Sequence, residues 1–208
     1  MVKFFKMILP VVAYGDPVLK KRASSISKDY PKINSLISDM YDTMYGANGV
    51  GLAAPQIGLS IRLFLVDTEP FSEDESLSAN ERSKLKKFKR TFINPEIIEE
   101  SGDEWSFNEG CLSIPGVRED VTRKSQVKIR FQDENFVTKT ESFDGLMARV
   151  IQHEYDHIEG VLFTDKLSNF KKRLIKSKLT SISKGKITTD YRMRFSKISK
   201  KDFKNGFR

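Results

Sequence analysis

The stretch Asp144-Gly145-Leu146-Met147-Ala148-Arg149-Val150-Ile151-Gln152-His153-Glu154-Tyr155-Asp156-His157 decides the fold. Leu146, Met147, Val150, Ile151 and, further on, Ile158 recur every three or four residues, the period of an amphipathic helix. Asp144 stands where an N-cap belongs and Gly160 where the helix should stop. Residues four apart on a helix lie nearly above one another, so His153 and His157, the chain's only 2 histidines, project to one side. Two imidazoles so placed can share one metal ion, and Glu154, the next residue, can reach a water beside it. A catalytic centre of this kind needs a third protein ligand and one open position.

The single cysteine, Cys111, lies upstream in Glu109-Gly110-Cys111-Leu112-Ser113. Coordination would deprotonate its thiol and turn a nucleophile into a ligand. Alone, it is equally compatible with a small buried hydrophobe, as an isolated H-E-x-x-H is with a structural helix. A third segment, Gly49-Val50-Gly51-Leu52-Ala53-Ala54-Pro55-Gln56-Ile57-Gly58, is small and uncharged. Its glycines permit either close backbone approach to a ligand or a tight helix-to-strand connection. Gln56 is an amide in an apolar loop and needs a partner there, a demand that a polarised carbonyl oxygen would meet.

Around these segments the chain reads as α+β. Ile33, Leu36, Ile37, Met40, Tyr41, Met44 and Tyr45 predict a helix over Pro31–Ala47, ended by Gly46, Asn48 and Gly49. Ile61–Val66, Thr91–Ile98 and Glu104–Phe107 read as strands, and Gln126–Phe131 with Phe136–Phe143 as a hairpin around Asp133-Glu134-Asn135. Thr68–Arg90 is first acidic and serine-rich, then basic, and is expected to be a surface loop or insertion with a short helix. A last helix from Asn169 to about Ser183 is expected to bury Phe170, Leu174, Ile175, Leu179 and Ile182 on one side. The expected architecture is a single domain of antiparallel strands packed around the central H-E-x-x-H helix, with a C-terminal helix added. Residues 1–170 form the catalytic part and 171–208 a basic extension of the same domain.

With 38% hydrophobic and 31% charged residues, the 208-residue chain has the composition of a globular protein. One cysteine forms no internal disulfide, which fits a reducing compartment. Met1–Pro10 is basic then apolar, but Lys6 and Pro10 interrupt it and no small-x-small site follows. No run approaches the roughly 18 apolar residues of a membrane span. A soluble cytoplasmic protein is expected, with no membrane and no specific DNA partner. The net charge of +8 is uneven: Lys171–Arg208 holds 14 Lys/Arg against 2 acids, leaving a mildly acidic body. Such a segment either binds polyanions by counterion release or is a solvated face and end.

The Gly49–Gln56, Glu109–Ser113 and Gln152–His157 segments resemble, in order and spacing, the three signature motifs of peptide deformylase. Tyr14-Gly15-Asp16-Pro17 and Ile114-Pro115-Gly116 are also similar to that family, and the likeness runs from about Met7 to Leu167. The resemblance implies removal of the N-formyl group from formyl-methionyl nascent peptides of bacterial or organellar type, and one divalent metal ion. Fe2+ is the expected ion, with Zn2+, Ni2+ or Co2+ as substitutes. Carried over residue by residue, it makes Cys111, His153 and His157 the metal ligands and Glu154 the general acid/base. It makes Gln56 and the backbone N–H of Leu112 the oxyanion stabilisers. Val50, Gly51 and Gly110 become backbone positions along the extended substrate, and Arg118 a contact further along. It also suggests ribosome docking through the basic C-terminal segment. Glu109 and Asp156 are candidates for orienting the ligands, with pairing to a surface arginine the plainer role for Asp156. Two other readings remain: a zinc endopeptidase using Glu159 as third ligand, and a noncatalytic RNA-binding protein.

Overall fold

A computed structural model describes residues 7–196. Five strands form one antiparallel sheet in sequence order: β2 (Gly51–Ala53), β3 (Leu63–Asp67), β4 (Lys89–Cys111), β5 (Ile114–Gln132) and β6 (Thr138–Asp144). The helices are α1 (Ile33–Gly46), α2 (Ala79–Lys87), α3 (Gly145–Ile158) and α4 (Asn169–Ser183). Two short strands, β1 (Val11–Val12) and β7 (Met193–Arg194), pair in parallel and tie the two ends of the described chain together. Among the described residues no helix is long and apolar enough to cross a membrane.

Alternation along β3 explains why two helices sandwich this part of the sheet. Successive strand residues point to opposite faces. Phe64 and Val66 join Ala148, Ile151 and Ile158 of α3 in one core cluster, while Leu63 and Leu65 join Ile37, Met40 and Met44 of α1 in another. The metal-motif helix is therefore buried centrally. A third cluster packs Ile175, Leu179 and Ile182 of α4 against Val12, Ile114, Val117 and Val121. Phe170 and Leu174 do not share that face; they are 63% and 64% exposed. Leu174 is rotated by roughly 100° from Ile175 on the helix, which takes it out of the stripe formed by positions 175, 179 and 182.

The strand expectations need a larger correction. Thr91–Ile98 and Glu104–Phe107 are parts of the single 23-residue β4, and β5 begins at Ile114, well before Gln126. Irregularities in register lie at Ile93/Glu96, Ile97/Glu99 and Ser101/Glu104. Asn94, with φ 49°, turns its side chain to Ile26, accepting from its N–H at 2.9 Å and donating to its carbonyl at 2.8 Å. Bulges of this sort bend a strand without ending it. Thr68–Arg90 is more ordered than a loop: Ser78 and Glu81 form a reciprocal cap at the start of α2, Leu85 and Phe88 are buried, and Lys89 opens β4.

Candidate active site

The two-residue turn Leu112–Ser113 between β4 and β5 carries Cys111 to the inner face of α3. There Cys111 Sγ lies 3.3 Å from His157 Nε2, and the donor atoms of Cys111, His153 and His157 all fall within 4.8 Å of one another. Tetrahedral coordination at typical zinc–sulfur and zinc–nitrogen lengths gives a sulfur–nitrogen separation of about 3.6 Å. The three residues thus fit one divalent ion.

The imidazole of His153 is aimed by its other nitrogen: Nδ1 hydrogen-bonds Glu109 Oε2 at 2.8 Å. Glu109 is held in turn by Arg123, at 2.7 and 3.0 Å, and by Arg149 at 2.9 Å. Those four bonds saturate the carboxylate's acceptor capacity. Burial alone would raise the Glu109 pKa, but bonds from His153 and Arg123 outweigh it and hold the carboxyl well below the usual range. Burial also opposes a charged His153, yet Cys111 and Glu109 push its pKa up to about 10. A cation held by the same atoms would displace that proton, so binding and proton release are linked. Burial and the neighbouring charge of His153 both lower the pKa of His157.

Asp156 does pair with an arginine, but with the buried Arg123, at 2.6 Å, and with Lys166 at 3.2 Å. The expected surface arginine is thus a buried one. Arg123 and Arg149 were also missed. Arg149 stands four residues before His153, on the same helical stripe, and that spacing was the available signal.

Glu154 is buried, and its Oε2 has no partner among the described residues. Burial raises its pKa to about 7, against the pull of His153. A Cβ on Gly51 would collide with the Glu154 carboxylate, so glycine there makes room for it. Gln56 is oriented without ambiguity. The Ala53 N–H, which can only donate, meets the Gln56 side chain at 2.8 Å, so that atom is Oε1. The amide Nε2 therefore faces Cys111 Sγ and Ser113 Oγ, each at 3.4 Å.

A cleft of about 590 Å³ opens over these groups. Val50, Gly51, Gln56, Gly110, Leu112 and Arg118 all line it, with His153 and Glu154. Val50 and Gly51 lie at the sheet edge, where β2 has only β3 as neighbour, and the Val50 carbonyl already accepts from Asp67 N–H at 2.9 Å. Gly110 lies in the part of β4 that pairs with β5 on one side and, past Ile93, not with β3 on the other. Arg118, opposite Gly110, donates to Asn108 Oδ1 at 2.9 Å. Pro70 and Phe71 from the Thr68–Arg90 segment also reach the cleft. Glu159 is elsewhere, paired with Arg62 at 2.6 Å and Arg22 at 2.9 Å, so the endopeptidase ligand set is not assembled.

The family model for polypeptide deformylase matches residues 8–173, most of the chain and all of this site. The chain belongs to the polypeptide deformylase family. It is 64% identical to the peptide deformylase of Flavobacterium johnsoniae over 93% of this chain and 99% of that protein. Among solved structures, a peptide deformylase from Legionella pneumophila shares 37% identity with a TM-score of 0.71, over 84% of this chain and 94% of that one. A peptide deformylase from Acinetobacter baumannii, solved with Met-Ala-Ser bound, shares 31% identity with a TM-score of 0.70, over 78% of this chain and all of that one. Polypeptide deformylases are metal-dependent hydrolases, and this chain accordingly removes the N-formyl group from newly made polypeptides.

Proposed function

We propose that Cys111, His153 and His157 hold the metal, preferably Fe2+, and that Glu154, Gln56 and Leu112 carry out the hydrolysis of formyl-methionyl peptides to formate and a free amine. The observation that carries this reading is a buried carboxylate with an unpartnered oxygen, next to a converging sulfur and two imidazoles. Iron is preferred on the family resemblance, since thiolate and imidazole ligands suit ferrous iron and zinc alike. When bound, a divalent cation supplies Lewis acidity and acidifies nearby water, in favourable cases to a pKa of about 7.

The chain's own residues account for the rest. Glu154 accepts a proton at Oε2 as water attacks the formyl carbon, and its raised pKa suits exchange near neutrality. Gln56 Nε2 and the Leu112 N–H meet the charge that develops on the formyl oxygen. Glu154 then returns the proton to the departing amine. An extended peptide fits between two strand edges, at Val50–Gly51 and at Gly110, as an added strand would. Because the Val50 carbonyl is engaged, its N–H is the group it offers. Phe71, Phe107 and Val150 give the cleft an apolar wall suited to the methionine side chain. Arg118 meets the chain further along. The bound Met-Ala-Ser of the Acinetobacter baumannii relative is the product such a reaction would leave.

The test is formate release from formyl-Met-Ala-Ser by protein loaded anaerobically with Fe2+ and, in parallel, Zn2+. No formate from either folded, loaded form would end this reading. Within it, Gln56→Ala should lower kcat by about 10²–10³-fold and leave KM nearly unchanged, because the lost donor acts mainly in the transition state. An unchanged kcat would remove Gln56 from the oxyanion site.

We also infer a cytoplasmic enzyme that docks on the ribosome through its basic C-terminal segment. Arg173 and Lys176 are exposed on α4, and the residues past 196 lie outside the described structure. Reversing the charge of both should weaken salt-sensitive cosedimentation with ribosomes. Deleting Lys171–Arg208 would be a poor test, since it strips Ile175, Leu179 and Ile182 from the core.

A further inference from the structure

The chain past α4 is placed against the candidate active site by contacts that the catalytic roles above do not use. After Gly185 it runs back so that Ile187, Met193 and Phe195 pack on the cluster that also contacts Cys111. Strand β7 fixes it: the N–H groups of Val11 and Ala13 donate to the carbonyls of Arg192 and Arg194 at 2.8 and 2.9 Å. Immediately before this pairing, the Tyr191 hydroxyl donates to the carbonyl of Leu112 at 2.7 Å. A carbonyl can only accept, so the phenol proton is committed to that bond. Tyr191 also lines the cleft.

We propose that Tyr191 is a positioning residue that holds the Leu112 carbonyl and so keeps the N–H of the same residue aimed at the formyl oxygen. This rests on the oxyanion role given to Leu112 above. The turn at Leu112–Ser113 has only the Cys111–Ile114 pair to define it from within the hairpin. From outside, its two carbonyls are pinned separately: Ser113 accepts from the N–H of Tyr14 at 2.8 Å, and Leu112 from Tyr191. The carbonyl and N–H of Leu112 flank one Cα, so holding the carbonyl restricts the rotation that would swing the residue. A preorganised donor stabilises developing charge only when it already points at the right place. The short run from Val11 to Tyr14 bonds both Tyr191's segment, through Val11 and Ala13, and the turn, through Tyr14, giving the two a common frame.

The test uses the full-length, metal-loaded protein. Replacing Tyr191 by Phe keeps the ring and removes one neutral hydrogen bond. The expected result is a kcat for formyl-Met-Ala-Ser lower by about 3- to 10-fold. KM, the Kd for unformylated Met-Ala-Ser, metal content and the thermal midpoint should stay close to wild type. An unchanged kcat, or an effect confined to KM, would overturn the proposal. So would a kcat loss matched by losses of thermal stability and metal, which would assign the tyrosine to packing. Gln56→Ala is run beside it. If that variant also leaves kcat unchanged, the oxyanion reading itself fails and takes this proposal with it. If only Tyr191→Phe is silent, the positioning role alone falls.

Discussion

Glu154→Gln is expected to reduce formate release by about 10²–10⁴-fold at saturating substrate, the range in which a positioned acid/base acts. The substitution is close to isosteric, which matters because the side chain packs closely against Gly51. The amide cannot take a proton from water at neutral pH, so the loss isolates proton transfer from packing. Cys111, His153 and His157 are untouched, and metal content measured on the purified variant should match wild type. Thermal stability should be equal or higher. Burial disfavours the ionised Glu154, as its raised pKa shows, and a neutral amide escapes that cost. KM should change little, since the extended peptide is held mainly at strand edges. Retention of kcat within about tenfold, in a variant of normal metal content, would leave general base catalysis without a residue.

How much of this was legible in the sequence depended on the distance over which the information was stored. The pairing of His153 with His157 is local, fixed by helical pitch, and was readable from spacing alone. The helices α1, α3 and α4 were placed within two residues for the same reason. Cys111 is different. It meets His157 across 46 residues, through a long hairpin whose extent did not show in the sequence. Gly102 falls in the gap between the two expected strands, yet the structure absorbs it as a bulge in one. In β5, Pro115, Gly116 and the charged Arg118-Glu119-Asp120 run obscure an alternation that buries Val117, Val121, Val127, Ile129 and Phe131. Composition-based reading also treats charge as surface, and that rule hid Arg123 and Arg149, both buried. The Tyr191 contact had no pattern at all: a single side chain past the last helix bonds a carbonyl 79 residues earlier.

The buried arginines lead to the second large effect, expected for Glu109→Gln. The carboxylate of Glu109 is only 3% exposed and receives Arg123, Arg149 and His153 together. Its neutralisation removes the charge that compensates two guanidinium groups with almost no access to water. Asp156 still faces Arg123 at 2.6 Å, and the carbonyls of Val121 and Trp105 still accept from Arg149 at 2.9 and 2.7 Å. Those partners do not restore the balance of charge. Breaking a buried pair by removing one member typically costs about 3–5 kcal/mol, a large share of a domain's stability. The midpoint of urea unfolding should therefore fall steeply. The same change alters the group that selects the His153 tautomer, because an amide oxygen accepts more weakly than a carboxylate. Loss of such an orienting partner usually lowers metal affinity by about 10–100-fold. The two effects separate experimentally: urea unfolding in excess chelator reads the charge network alone, and competitive metal titration of the folded variant reads the orientation of His153. A midpoint in chelator equal to wild type would mean that Asp156 and the backbone carbonyls already satisfy both arginines, and that Glu109 acts only on the imidazole.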